Sequence, residues 1–544
     1  MIKQIAQHYQ KKEDNILIIK ILKNNFTLTS LYKAHIISSY HTIFSFHCFG
    51  VSFVPLMDKS ATMATAEQKE KPHFAFLPSP GMGHIIPLFE FAKRLVINHG
   101  FHVSFFVITT GASAAQNELF LSDNLPAGFH AVEIPPVENI SSFFTDDMRV
   151  VTRLSIIVRE SLKQYLSSLL IKHRPKALII DLFCTDAFEI CKEVSIPVHS
   201  FFTASTLLMA FSLYLPTLDR EVNGEFVDLP QHIQTPGCNP ICPHDLLDQV
   251  KDRKNDEYKW YLLHVSRLPL AAGIFVNSWD DLEPVTLQAL KENSFFQNIP
   301  IPPIHTIGPL IKQDEVITEK DAEILAWLDN QPPDSVLFVV FGSGGTLTSE
   351  QLTELAWGLE MSHQRFILVA RKPSDASASA AFFNVGSDED DPLMYLPEGF
   401  AKKTEGRGLV VPSWAPQVAI LNHPSTGAFL SHCGWNSTLE SVVHGVPMIA
   451  WPLYAEQRMN ATFLTEEVGV TIKFPVVPGE ELISRKEIEK MVRIVMEGEK
   501  GMAMRRRAQE LKESAKIALN NGGSSDDSLC RVVQFWKSDQ SLCS

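Results

Sequence analysis

From residue 73 the apolar positions fall into short runs separated by amphipathic stretches. "HFAFLP" is a strand-length run and "PGMGH" a turn, and "IIPLFEFAKRLVINHG" repeats its apolar residues at helical spacing before closing on Gly100. "HVSFFVIT" is a second strand, so the three segments form a βαβ unit. Further strand-like runs at 177–183 ("ALIIDLF"), 197–202 ("PVHSFF") and 273–278 ("GIFVNS") alternate with helical stretches, which predicts a parallel doubly wound sheet ending near residue 310. "HTIGPLIKQDE" and "DAEILAWLDNQPPDS" read as a linker and a short helix. After them "VLFVVFGSGG", "RFILVAR", "GLVVPSW", "GAFLSH" and "PMIAWP" supply a second series of strands. The predicted fold is α/β, with two Rossmann-like doubly wound domains facing a cleft.

The length of 544 residues agrees with two domains. The expected division is an N-terminal extension over 1–62, one domain over 63–310, a second over 311–520 and a C-terminal segment, 521–544, that packs back on the first domain. A formal net charge of -14 excludes a general nucleic-acid or anionic-membrane binder and points to a small ligand. Eight cysteines are too sparse for a disulfide framework, which suits a reducing, cytoplasmic setting. Cys238 and Cys242 are a close pair with no matching second pair, so no structural metal is expected. Residues 1–62 carry seven lysines against three acids and the apolar stretch "TIFSFHCFGVSFVPLM". A disordered extension, or a start assigned upstream of Met63, is the expectation, with a membrane anchor as the rival. No run of 18 apolar residues predicts stable membrane insertion. The segment 373–392 reads as a mobile surface loop.

Candidate chemistry concentrates in "SHCGWNSTLES", 431–441. "GAFLSH" is a buried strand and "NSTLESVVHG" a helix, which places "HCGW" at the strand's C-terminal end, where α/β sheets bind ligands. The N–H groups of Asn436 and Ser437 open that helix toward an anion such as phosphate. A Cys433 nucleophile with His432 as its base is disfavoured, because neighbouring strand residues point to opposite faces. "FGSGGTLT", 341–348, is a second glycine-rich turn between strand and helix. It lacks the P-loop lysine and the dinucleotide fingerprint, which disfavours ATP and NAD. Two helix starts in one domain suit a diphosphate.

The 44 residues from Trp414 to Gln457, "WAPQVAILNHPSTGAFLSHCGWNSTLESVVHGVPMIAWPLYAEQ", resemble the signature box of plant secondary-product UDP-glycosyltransferases. "PSPGMGHIIPLFEFAKRL", "DLFCTDAFEI" and "FGSGGTLTSEQL" extend the resemblance to roughly residues 70–540, closest in appearance to hydroquinone and phenylpropanoid glucosyltransferases. The resemblance implies a GT-B fold and a UDP-sugar donor site. Trp414 would stack on uracil, with Gln417 and the Ala415 backbone reading its edge, and Glu440 would accept from the ribose hydroxyls. His432, Asn436, Ser437 and Ser343 would hold the diphosphate, and Trp435, Glu456 and Gln457 would face the sugar. Gln457 as the last box residue points to glucose.

Inverting transfer needs a base for the acceptor hydroxyl, and the resemblance assigns His84 with Asp181 to orient it. Read from the sequence alone, His84 is more simply a helix-capping or satisfied loop histidine; the resemblance reverses that. Phe143, Phe144, Phe183, Leu207 and Phe211 are candidates for an apolar acceptor slot and equally for core. A small phenolic acceptor is expected from the resemblance, and no nucleic acid or stable subunit partner. Asp388 and Asp390 in "SDEDDP" are read as a solvated charge run, so no metal cofactor is expected. "MRRRAQELKESAKIAL", 504–519, is a charged helix face. The sequons at Asn139 and Asn460 are expected unmodified. A non-catalytic nucleotide-sugar-binding protein and a membrane-associated transferase are the alternatives.

Overall fold

The strand β1 (His73–Leu77) is fully buried from Phe74 onward and pairs in parallel with β2 (His102–Ile108) on one side and β4 (Leu178–Asp181) on the other. Burial on both faces explains its unbroken apolar run. The computed structural model describes residues 71–538 apart from 122–124, 146–147, 314–316, 380–381, 383–390 and 476–481. The extension over 1–62, the pair Asp388 and Asp390, and residues 539–544 lie outside the described residues.

Adding β3 (Phe129–Ile134), β5 (Val198–Phe202), β6 (Ile274–Val276) and β7 (Ile304–Thr306) completes a parallel sheet of order β3-β2-β1-β4-β5-β6-β7. The helices used below are α1 (Met82–His99), α2 (Val150–His173), α3 (Thr206–Glu221) and α4 (Asp256–Ser266). The second sheet has the order β10-β9-β8-β11-β12-β13: β8 (Val336–Val340), β9 (Arg365–Ala370), β10 (Gly408–Pro412), β11 (Thr426–Ser431), β12 (Met448–Ala450) and β13 (Thr471–Lys473). With it go α5 (Ser349–Ser362), α6 (Trp435–His444), α7 (Gln457–Phe463), α8 (Arg485–Glu497), α9 (Glu499–Leu519) and α10 (Ser524–Ser538).

Each sheet reverses its strand order once, at β1/β4 and at β8/β11, and such switch points open a crevice beyond the strands' C-terminal ends. The chain crosses back over the first sheet at its end. Trp536 of α10 is 1% exposed and packs tilted against Phe74 with ring centroids 4.4 Å apart, in one apolar cluster with Leu529, Val532 and Val533. Ser514 of α9 accepts from the Trp279 indole at 2.9 Å and donates to Asp281 at 2.7 Å, tying α9 to the loop after β6.

Three strands are absent from the sequence reading: β3, β7 and β13. All are sheet edges. β3 buries little more than its ends, and β7 and β13 are three residues long, so none carries the apolar run that marks a central strand. The run "ALIIDLF" stops pairing at Asp181, because the Asp181 side chain accepts from the Phe183 N–H and turns the chain into a 3-10 helix over Leu182–Cys184. Helix α1 starts earlier than its apolar spacing suggests. Gly81, at φ 118, makes the turn, and the N–H groups of His84 and Ile85 both bond its carbonyl at 3.0 Å, so His84 stands in the helix's first turn.

Candidate active site

The two switch points face one cavity of about 880 Å³. From the first sheet His84, in the first turn of α1, reaches its wall. Its Nδ1 lies 3.0 Å from the Oδ1 of Asp181, the last residue of β4. Asp181 is fully buried. It also accepts from Ser79 Oγ at 2.5 Å, from the Phe183 N–H at 3.2 Å and from Thr203 Oγ1 at 3.2 Å. Thr203 sits 3.1 Å from His84 Nδ1 as well, so two partners meet the same ring nitrogen, and the Phe183 ring meets the imidazole edge-on at 5.3 Å.

The electrostatics follow from this shell. Burial opposes the imidazolium, but the charge and hydrogen bond of Asp181, with a smaller contribution from Glu456, outweigh it and raise the His84 pKa above its ordinary value. Burial likewise opposes the Asp181 anion. His84, Ser79 and the Phe183 amide hold its pKa below the usual carboxylate range. The carboxylate is therefore ionised and fixes a proton on His84 Nδ1, which leaves Nε2 as the basic nitrogen.

The second sheet contributes the opposite wall. Ser343 follows β8, Trp414 to Gln417 follow β10, His432 follows β11, and Trp435 to Glu440 form the first turns of α6. Trp414 is 40% exposed, an open indole face for a flat ring. Gln417 Nε2 donates to Ser437 Oγ at 2.9 Å and to Glu440, so the amide and the carboxylate hold each other in place. Gln457 Oε1 accepts from the N–H groups of Leu453 and Tyr454 at 2.8 and 3.1 Å, shaping the loop that carries Glu456. Burial raises the Glu456 pKa.

Two side chains of α6 cross the cleft. The Trp435 indole donates to the Asn277 carbonyl at 2.9 Å, and Asn436 Nδ2 donates to the Gly83 carbonyl, next to His84, at 3.0 Å. Burial, with the Arg371 charge beside it, pushes the His432 pKa down to about 4. At neutral pH, with no anion beside it, the His432 ring is uncharged. Gly342, at φ 74, is required above it, since a Cβ there would strike the imidazole.

Compared with known proteins, residues 315–508 match the family described as "UDP-glucoronosyl and UDP-glucosyl transferase". The chain is 47% identical over 472 residues to a hydroquinone glucosyltransferase of Rauvolfia serpentina, covering 86% of this chain and 98% of that one. The chain belongs to the plant family 1 UDP-glycosyltransferases. Its fold is GT-B: TcCGT1, solved with UDP, is similar at a TM-score of 0.79 and 45% identity, covering 86% of this chain and 99% of that one. Phytolacca americana UGT2, solved with UDP-2fluoro-glucose and pterostilbene, is similar at 0.76 and 40%, with 86% and 99% covered.

In this glycosyltransferase the expected acceptor residues divide. Phe183 lines the cavity beside His84. Phe143, Phe144, Leu207 and Phe211 are not among its lining residues, and for Leu207 and Phe211 the core alternative of the sequence reading holds. Phe143 is 49% exposed on a short 3-10 helix, and Phe144 packs under the Arg153 guanidinium at 4.7 Å. Leu207 and Phe211 are core residues of α3, and the residue of that helix that reaches the cavity is Leu208. Apolar identity alone does not distinguish the faces of a helix buried on nearly all sides. Met82, Ile86, Met148, Val151 and Leu154 complete the apolar wall.

The sequence reading passed over Ser79, Thr203 and Arg371. Each follows a central parallel strand, β1, β5 and β9, by one or two residues, and that position was the available signal. The Cys433 thiol is fully buried and its pKa is pushed up to about 12, so it is no nucleophile. Cys238 bonds the Pro236 carbonyl, and among the described residues no group of three potential metal ligands converges. No helix among the described residues is long and apolar enough to cross a membrane.

Proposed function

We propose that the protein transfers glucose from UDP-glucose, with inversion, to a hydroxyl of a small aromatic acceptor such as hydroquinone, a monolignol or another phenol, giving a β-O-glucoside and UDP. The observation that carries this reading is the His84–Asp181 pair at 3.0 Å, opening onto the same cavity as Trp414, Glu440 and the start of α6.

The acceptor lies against the apolar wall with its hydroxyl at His84 Nε2. The ring accepts the proton as the oxygen attacks the anomeric carbon, and Asp181 stabilises the imidazolium that forms. A phenol, with an ordinary pKa near 10, surrenders that proton more readily than an aliphatic alcohol. On the donor side Trp414 carries the uracil and Glu440 the ribose hydroxyls. Ser343, His432, Asn436 and Ser437 bond the diphosphate at the start of α6, where helix amides favour anions without a resident metal. Trp435, Glu456 and Gln457 border the sugar. The acceptor occupies the half built on 63–310 and the donor the half built on 311–520, and the enzyme works as a cytoplasmic monomer.

Product mass after incubation with UDP-glucose or UDP-galactose and a panel of phenols tests the reading. Addition of one hexose, faster from UDP-glucose, supports it. A protein that binds UDP yet transfers to no acceptor is a nucleotide-sugar-binding protein instead.

A further inference from the structure

Arg371 stands at the end of β9, the strand between β8 and β10 in the second sheet, and its guanidinium spans both neighbours. Nε donates to the Ser413 carbonyl at 2.9 Å, immediately before Trp414. Nη1 donates to the Gly342 carbonyl and, at 3.5 Å, to that of Gly345. Both bridged segments depart from extended backbone: Ser413 has φ 51 and Gly342 has φ 74. On one side of the fork stands the exposed indole of Trp414, and on the other the glycine turn that carries Ser343 and roofs His432.

Resting on the donor reading above, we infer that Arg371 is a positioning residue that sets the spacing between the nucleobase platform at Trp414 and the phosphate turn at 342–345. A nucleoside diphosphate has a bounded reach from base to phosphates. Two half-sites at the matching separation gain the advantage of linked binding, and half-sites free to drift apart lose it without either one being damaged. A planar guanidinium suits this task because it donates in two fixed directions at once. A lysine ammonium is a point donor on a flexible stem. The charge of Arg371 also lies beside His432.

The test uses the full chain and the variants Arg371→Met and Arg371→Lys. Affinities for UDP and for uridine are measured by calorimetry and ligand-observed NMR, alongside KM and kcat. UDP affinity is expected to fall about tenfold in both variants while uridine affinity holds, since only the linked ligand senses the spacing. KM for UDP-glucose rises in parallel and KM for the phenol does not move. Equal losses for uridine and UDP would overturn the inference by showing general damage, as would an Arg371→Lys protein with the wild-type UDP-to-uridine ratio, which would make charge sufficient. If Arg371→Met fails to fold, Arg371→Lys carries the test. Wild-type protein that binds no UDP refutes the donor reading itself, an outcome distinct from variants that bind UDP as well as wild type does.

Discussion

Replacing Asp181 with Asn removes one charge from a fully buried position and keeps the side chain's shape. At the 3.0 Å separation from His84, an effective dielectric of about 20 gives a gross attraction of about 5 to 6 kcal/mol between carboxylate and imidazolium. His84 keeps a 20% exposed side chain, and an amide oxygen still accepts one hydrogen bond, so the net loss is smaller, about 3 to 5 kcal/mol. If the imidazolium develops in the transition state, that loss lowers kcat about 10² to 10⁴-fold. The pH profile supplies an independent sign. In the proposed mechanism the base works unprotonated, so activity should rise with pH through the His84 pKa, which Asp181 holds above its ordinary value. In Asp181→Asn the burial that opposes the imidazolium is no longer outweighed, and the acidic limb moves to lower pH. Initial rates of UDP release across pH, with UDP affinity measured separately, check both. A loss under about fivefold, or an acidic limb that stays in place, would refute the assignment of Asp181 as the partner that charges the base.

Trp414→Ala removes the stacking face and is expected to weaken UDP binding by about 1 to 3 kcal/mol, read as a raised KM for UDP-glucose with the phenol KM unchanged. Trp536→Ala opens a cavity under α10 where the indole packs on Phe74 and His199; thermal unfolding should show a loss of about 3 to 5 kcal/mol. Donor affinity should be little affected by that change, since α10 contributes nothing to the cavity wall. Chelation by EDTA is expected to leave the transfer rate unchanged under the proposed donor site, in which the start of α6 holds the diphosphate. A loss restored by a divalent ion would contradict that.

Much of the fold was legible because parallel central strands are buried on both faces and must be apolar throughout. β1, β2, β5, β8, β9 and β11 declared themselves this way, whereas the edge strands β3, β7 and β13 did not. Most of the second sheet's wall was equally readable, since apart from residues such as Ser343 and Arg371 it comes from one continuous stretch, 414–457, in which the spacing of Trp414, Gln417, Glu440 and Gln457 is set by local turns and helices. The His84–Asp181 pair was harder. His84 and Asp181 are 97 residues apart, and Ser79 and Thr203 join them only because β1, β4 and β5 are neighbours in the sheet. The apolar wall of the cavity was the least legible: on α3, Leu207 and Leu208 are adjacent and equally apolar, and only packing decides which of them turns toward the cavity.

The most direct test of the central claim is the transfer reaction itself, run on wild-type protein and on His84→Ala with UDP-glucose and hydroquinone, with the product's mass and anomeric configuration determined and UDP binding measured in parallel. The proposed mechanism requires a single β-linked hexose from wild type, and from the variant almost no product despite undiminished UDP binding. An α-linked product, or a His84→Ala protein that still transfers at a comparable rate, would contradict it.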